Sequence, residues 1–397
     1  MRPREVDCMK ETHVFLAPDY YPRFKCKMGE CRHACCEGWP VTVSLKDYYR
    51  LLGEECDKDL RRRIDLSLKV LPHPTEDEYA EIAHDFRGDC RLRMQDGRCA
   101  LQARLGEDAL SPVCRLYPRG VRAEGDYEVS CACSCEATLE LLLQKKEPIR
   151  FVPYEDTLFI PEAQGRSIYF ETVGREQEIR LWFIRLMQNR AMPIHQRLIL
   201  LSEAILRMEE ALNRKDGVVV DELLKSEWTA VTEKKETPTD EQLTFGLSVA
   251  ERLLEIMDGR SESLRRYGER ALAYFGRDEK SMDRYFAARA RFEDRFPDWE
   301  TFFENMLVNH MFFGRFPFQD REDSLRQEKI ALDAVFAVLR FTALGCMAIS
   351  GSADDLTDIC CAAFRLIEHT SFDRYAGRLL ENLGCDTEEK QRWLLEL

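Results

Sequence analysis

Between Glu136 and Gly345 the chain has no cysteine, although it holds sixteen in all. Scattered core thiols would not leave such a gap. Twelve of them (8, 26, 31, 35, 36, 56, 90, 99, 114, 131, 133 and 135) fall before residue 136. The N-terminal third therefore reads as a thiol-bearing module joined to a different body. Positive charge is in deficit, with 58 Lys and Arg against 72 Asp and Glu and a net charge of −14. That balance argues against a general nucleic-acid binder, because phosphates would be repelled, and it weakly favours a basic partner. The first residues lack the apolar core of a secretory leader. The longest apolar run, Ala334 to Ile349, is short for a bilayer and carries Arg340 in its middle, so it reads as a buried helix. A cytoplasmic protein with no membrane or nucleic-acid partner is the expectation, and its thiols should be reduced rather than paired.

What is present divides into three stretches: a cysteine-rich domain over 1–145, a linker with short strands over 146–175, and an α-helical domain over 176–397. The first is irregular, with many Gly and Pro breaks. Within it "WPVTVSL" from Trp39 alternates like a short strand, and "SLKDYYRLL" reads as a helix capped by Ser44. Asp96-Gly97 predicts a tight turn with Cys90 and Cys99 on either side. In the body, Ile205, Met208 and Leu212 keep helical spacing, and Pro193 separates their helix from an earlier one at "EQEIRLWFIRLMQNR". Further helices are predicted at 241–258, 261–275, 278–294, 298–313, 324–349, 353–370, 374–383 and 387–396. Asp386 and Glu389 have capping-box spacing for the last. The fold class is mainly α: an irregular cysteine-rich metal-cluster domain with short strands, then helices.

The thiol spacings are Cys26-x4-Cys31-x3-Cys35-Cys36, Cys90-x8-Cys99-x14-Cys114, and the cluster Cys131, Cys133, Cys135. Cys8, Cys56, Cys346, Cys360, Cys361 and Cys385 fit as packing residues, since buried cysteine behaves as a small hydrophobe. Structural zinc usually takes thiolates from C-x2-C knuckles, which are absent. Iron–sulfur clusters want four thiolates and tolerate irregular spacing. Only seven histidines are present, and iron–sulfur ligation is favoured over zinc. A C-x3-C-x2-C run would signal radical chemistry; after Cys31 and Cys35 the next thiol is the adjacent Cys36.

Three stretches, "YYPRFKCKMGECRHACCEGWPVTV", "CRLRMQDGRCALQARLGEDALSPVCRLYPR" and "CSCEATLELLL", together with "LMQNRAMPIHQRL" and "FFENMLVNHMFFGRFPF" in the helical body, resemble the flagellin lysine-N-methylases. The first two also resemble a broader group of zinc- or iron-chelating cysteine-cluster proteins. The resemblance implies methyl transfer from S-adenosylmethionine to lysines of flagellin in a bacterial cytoplasm. It also implies a [4Fe-4S] cluster, with zinc as the alternative metal. Carried over, the candidate ligands are Cys26, Cys31, Cys35, Cys36, Cys90, Cys99, Cys114 and Cys135. Where the family pattern has a proline after the last of these, this chain has Glu136.

No glycine-rich turn follows a predicted strand, so the usual S-adenosylmethionine pocket is not visible; "ISGSADD" at 349–355 reads as a loop or helix cap. Trp39, Tyr117 and Arg119, beside the thiols, are candidates for holding the cofactor, because a sulfonium sits well on an aromatic face. Their bland reading is a cover over the cluster. Asn309 is a candidate for a cofactor or peptide group, or a hydrogen-bonding residue inside the bundle. Arg185 and Arg190 are candidates to pair with a cofactor carboxylate, with surface pairing the favoured reading. Two rivals stand beside the enzyme: a non-catalytic iron- or zinc-binding protein with a helical partner-binding domain, and a redox-sensing thiol protein.

Overall fold

The computed structural model describes residues 11–33, 35–37, 41–86, 88–124, 126–158, 175–228, 237–257, 262–319, 324–349 and 351–397. Among them the chain is mainly α. The strands, in chain order, are β1 (Glu11–Pro18), β2 (Val41–Val43), β3 (Leu68–Val70), β4 (Ala80–Ile82), β5 (Arg119–Glu124), β6 (Asp126–Cys131) and β7 (Phe151–Leu158). The helices of the N-terminal third are α1 (Leu45–Gly53), α2 (Lys58–Ser67), α3 (Ala100–Leu105), α4 (Pro112–Leu116) and α5 (Glu136–Gln144). The body follows with α6 (Glu176–Met187), α7 (Ile194–Asn213), α8 (Gly217–Lys225), α9 (Asp240–Glu255), α10 (Glu262–Phe275) and α11 (Ser281–Arg295). It ends with α12 (Trp299–Gly314), α13 (Leu325–Met347), α14 (Ala353–His369), α15 (Phe372–Asn382) and α16 (Glu388–Glu396).

Two hydrophobic cores organise these elements. The smaller is built from residues 41–114, with Val43, Leu51, Leu60, Ile64 and Ile82 at its centre. A three-stranded antiparallel sheet, ordered β2-β4-β3, forms one side of it. Ser44 caps α1 by accepting from the Asp47 N–H at 3.1 Å. The predicted turn forms: Met94 N–H donates to Arg98 O and Gly97 takes the left-handed φ of +82°. Cys99 bridges back to Arg93 across that turn.

The larger core spans both ends of the chain. It takes in a sheet ordered β5-β6-β1-β7, in which β1 runs parallel to β6 (Leu16 opposite Glu128) and antiparallel to β7. Phe15 and Ala17 point inward from β1 while Val14 points out, the period-2 pattern of a half-buried strand. Arg180 of α6 reaches Glu128 of β6 at 2.9 Å, both buried. Phe313 of α12 lies against Gly120 of β5, where a Cβ would meet its ring at 2.6 Å.

Helix α13 is long and apolar enough to cross a bilayer, but its apolar window is 89% buried inside the protein. A helix that is apolar all round belongs in a core. Arg340, within its apolar run, lies over the Trp299 ring at 4.3 Å. At Gly345 it crosses α10 so closely that a Cβ would fall 2.4 Å from Ala271 Cβ. Ser324 with Gln327 and Ser352 with Asp355 form capping boxes for α13 and α14, and the second is the "SADD" stretch predicted as a cap. The last predicted box does not form. Helix α16 starts after Thr387, and Asp386 pairs instead with Arg326 at 2.7 Å. Arg190 is not a surface pairing residue either: with Arg197 it clasps the fully buried Glu304 of α12.

Candidate functional site

The turn Cys131–Cys135 leaves β6, enters α5 and is gripped from two helices of the body. From α14, the Glu368 carboxylate accepts from Cys133 N–H at 3.2 Å and Ser134 N–H at 2.9 Å. The Cys361 thiol of α14 donates to Ser134 O at 3.0 Å, and His369 Nε2 lies 2.9 Å from Ser134 Oγ. From α12, the Asn309 amide donates to Cys131 O at 2.8 Å and to Cys133 Sγ at 3.1 Å, while its carbonyl accepts from Tyr20 O–H. Burial holds the Tyr20 phenol well above its usual pKa, so it serves as a neutral donor.

Glu136, the first residue of α5, ties the thiol-bearing loop 26–33 to this turn. Its side chain is fully buried and accepts from Lys27 Nζ at 2.6 Å, Arg32 N–H at 2.8 Å and His33 N–H at 3.3 Å. A carboxylate at a helix N-terminus is also favoured by the helix dipole. Helix α14 adds a second hold. Asp358 accepts from Arg32 Nε at 2.9 Å, and Arg365 donates to His33 O at 2.7 Å.

The eight candidate thiols lie around the loop 26–33, this turn and the small core. Cys31 faces Cys26 and Cys135, and burial followed by the charge of Cys135 pushes its thiol up to about 12. Cys35 Sγ lies 4.0 Å from Cys36 Sγ, and their shared hydrogen bond raises Cys35. Cys36 lies within electrostatic reach of Cys90, whose N–H donates to Cys36 O at 2.8 Å. Cys99 and Cys114 lie within electrostatic reach of Cys35; burial raises both, Cys114 to about 11. Burial also lifts Cys135 to about 11, with Cys35 adding to it. Burial and the repulsion of neighbouring thiolates thus favour the protonated form of Cys31, Cys35, Cys99, Cys114 and Cys135. Among the described residues no three His, Cys, Asp or Glu side chains are placed to hold a metal ion. Thiol sulfurs are soft donors, but among the described residues they are not arranged as a metal cage.

Of the four residues singled out as cofactor candidates, three surround the same turn. Tyr117 O–H donates to Ser134 Oγ at 3.2 Å, and its ring lies 5.9 Å from that of His369. Arg119 pairs with Cys131 across the β5–β6 ladder and lies over the Phe24 ring at 5.2 Å. Asn309 is fully buried, with its amide committed to the bonds above. Trp39 lies outside the described residues, as does Cys8. Cys346, Cys360, Cys361 and Cys385 are buried. Sequence reasoning missed Glu136, Asp358, Arg365 and Glu368. For Glu136 a signal was present, a charged residue opening an apolar helix directly after the thiols. The α14 residues carry none, because their partners lie more than two hundred residues away.

Residues 180–390 match the sequence profile described as the FliB lysine N-methylase C-terminal domain. A "Lysine-N-methylase" of Salmonella typhimurium is 30% identical over 138 residues, 34% of this chain and 33% of that protein. The protein of the same name in Salmonella choleraesuis is 30% identical over 139 residues, again 34% and 33% of the two chains. A "Flagellar biosynthetic protein FliU" of Salmonella muenchen is 28% identical over 138 residues, which make up 34% of this chain and 79% of that protein. The chain thus spans about a third of the length of the two lysine-N-methylases it matches. No solved structure matches it.

Proposed function

This chain belongs to the FliB lysine N-methylase family, and from that premise we propose that it transfers the methyl group of S-adenosylmethionine to lysine side chains of flagellin. The family match over the helical body carries this reading. In the reaction the lysine nitrogen attacks the methyl carbon with its lone pair. The bond from that carbon to the sulfonium sulfur breaks, S-adenosylhomocysteine leaves, and one proton of the amine passes to a base or to water. A protonated lysine has no lone pair, so the site must favour the neutral amine, which burial does. Alignment of nitrogen, carbon and sulfur supplies much of the rate. The net charge of −14 suits a lysine-bearing surface as substrate, a steering effect that weakens with salt.

The thiol neighbourhood is proposed to hold a [4Fe-4S] cluster on four of Cys26, Cys31, Cys35, Cys36, Cys90, Cys99, Cys114 and Cys135. The soft, crowded donor set supports this reading. When bound, such a cluster supplies cross-links between the loop 26–33, the small core and the turn before α5. Loading would draw the thiols together and release their protons.

The test is an oxygen-free preparation incubated with flagellin and methyl-labelled S-adenosylmethionine. Label on flagellin lysines, located by mass spectrometry, is the expected result; unlabelled flagellin with a folded, metal-loaded protein would sink the reading. Iron content and the visible spectrum of the same preparation decide the metal. Zinc without iron would leave the thiols as a zinc site. The assembled thiols on their own also fit a metal-binding protein without catalysis, and failure to bind S-adenosylmethionine would favour that.

A further inference from the structure

We propose that the methyl donor of this reaction binds away from the thiols, in the cleft between α7, α13 and α16, and that the substrate lysine approaches through the groove beside it on α7. The inference rests on the methyl-transfer reading and goes beyond it by placing both reactants.

The cleft has a volume of about 470 Å³, inside the range of about 300–1,000 Å³ typical of small-molecule sites. Its wall is aliphatic, from Met192, Ile199, Leu200, Leu206 and Ile330, a surface suited to a purine ring. Charges of both signs stand around it: Arg326 paired with Asp386 at 2.7 Å, and Arg392 paired with Glu388 at 3.1 Å. A ligand with a carboxylate and an ammonium at one end finds a partner for each. The floor is polar and closed. Lys329 Nζ lies 2.5 Å from Asp333 Oδ1, both buried. Gln391 Nε2 donates to Asp333 Oδ2 at 2.8 Å and to Ser202 Oγ at 2.5 Å. An ion pair this deeply buried is a poor source of stability, because desolvation offsets its attraction. Its position under a cleft of this size gives it a use as a fixed polar surface.

The neighbouring groove shares Leu200 and Glu203 with the cleft and has a volume of about 590 Å³. It carries five carboxylates, Glu203, Glu210, Asp216, Glu222 and Glu227, of which Glu203 and Glu210 pair with Arg207 and Arg214 and Asp216 caps α8. At its end is the Trp228 ring, over which Arg207 already lies at 5.2 Å, so the ring faces a cation. An acidic, aromatic groove suits a lysine side chain. The seam at Leu200 and Glu203 is where a nitrogen in one depression and a methyl in the other can meet.

The experiment is calorimetric titration of the full chain with S-adenosylhomocysteine and S-adenosylmethionine, with hydrogen exchange measured on the same complexes. Wild type should bind, with protection over residues 196–206 of α7 and 388–392 of α16. Leu206 is half exposed on the cleft wall, so Leu206→Trp should keep the fold and narrow the cleft. It should weaken binding about tenfold or more. Binding with protection at 117–135 instead, or unchanged affinity in a folded Leu206→Trp protein, overturns the placement and leaves methyl transfer standing. No binding of either compound at millimolar concentration overturns the placement and the reading beneath it together.

Discussion

Replacing Glu136 by Gln should release the thiol-bearing loop without unfolding the body. The carboxylate is fully buried and receives Lys27 Nζ, Arg32 N–H and His33 N–H at 2.6, 2.8 and 3.3 Å. The neutral amide keeps one acceptor and turns an NH2 group toward these donors. Each charge-assisted bond is worth about 1.5–3 kcal/mol at face value. The sum must be cut, because Lys27 retains Glu140 at 2.9 Å and Arg32 retains Asp358 at 2.9 Å. The Lys27 and Arg32 side chains are also 23% and 32% exposed, so water replaces part of what is lost. A loss of about 2–3 kcal/mol remains, confined to the loop. The assay is amide exchange over residues 27–33, which should speed up by about 30- to 150-fold, with α12 and α13 unchanged. Maleimide labelling of Cys31 should accelerate in parallel. Loop protection equal to wild type, or an equal loss of protection through the helical body, would refute the reasoning.

Phe303 is fully buried on α12, edge-to-face with Trp299, Phe302 and Phe336; Phe303→Ala should cost about 3–5 kcal/mol in denaturant unfolding. Lys329→Met or Asp333→Leu alone should cost about 3–5 kcal/mol, while the double variant should come within about 1 kcal/mol of wild type. Additive losses in the double variant would contradict that account of the pair. Burial would raise the Asp358 carboxyl, but its bonds to His33 and Arg32 outweigh it and hold the group below its usual value of about 3.9. A depressed acid stabilises the fold above its unfolded pKa and loses that contribution as pH falls through the lower folded value. Protection over 31–33, taken relative to the intrinsic exchange rate at each pH, should therefore hold from neutrality to about pH 4 and fall steeply below it, and Asp358→Asn should remove the step.

The body helices were legible because each carries its own period and stop signals. Predicted boundaries for α9 to α16 fall within a few residues of those observed. Helix α8 was missed because "GVVVDELLK" opens with Gly and three β-branched residues, poor helix formers. It forms because Asp216 caps it and Val220 and Leu223 reach the main core. The larger sheet was also missed, since the Leu16–Glu128 pairing joins residues far apart in sequence. Asp386 looked like a cap from spacing alone, and a cation on another helix took it. At the site, the candidate thiols were named by the family resemblance rather than by spacing. What brackets them, Asp358, Arg365 and Glu368, comes from α14, a contact that no local pattern records.

The path of the chain through the two cores has a consequence for how the protein is built. The segment between Phe24 and Arg119 departs from the larger core after β1 and rejoins it at β5, and the two ends of this excursion touch, Arg119 lying over the Phe24 ring. In topological terms it is an insert with a closed neck. Cys26 to Cys114 ride on the insert, whereas Cys135 belongs to the host, so the thiols straddle the join. A metal bound there would act as a rivet between guest and host, and its removal would loosen the joint while leaving the host standing.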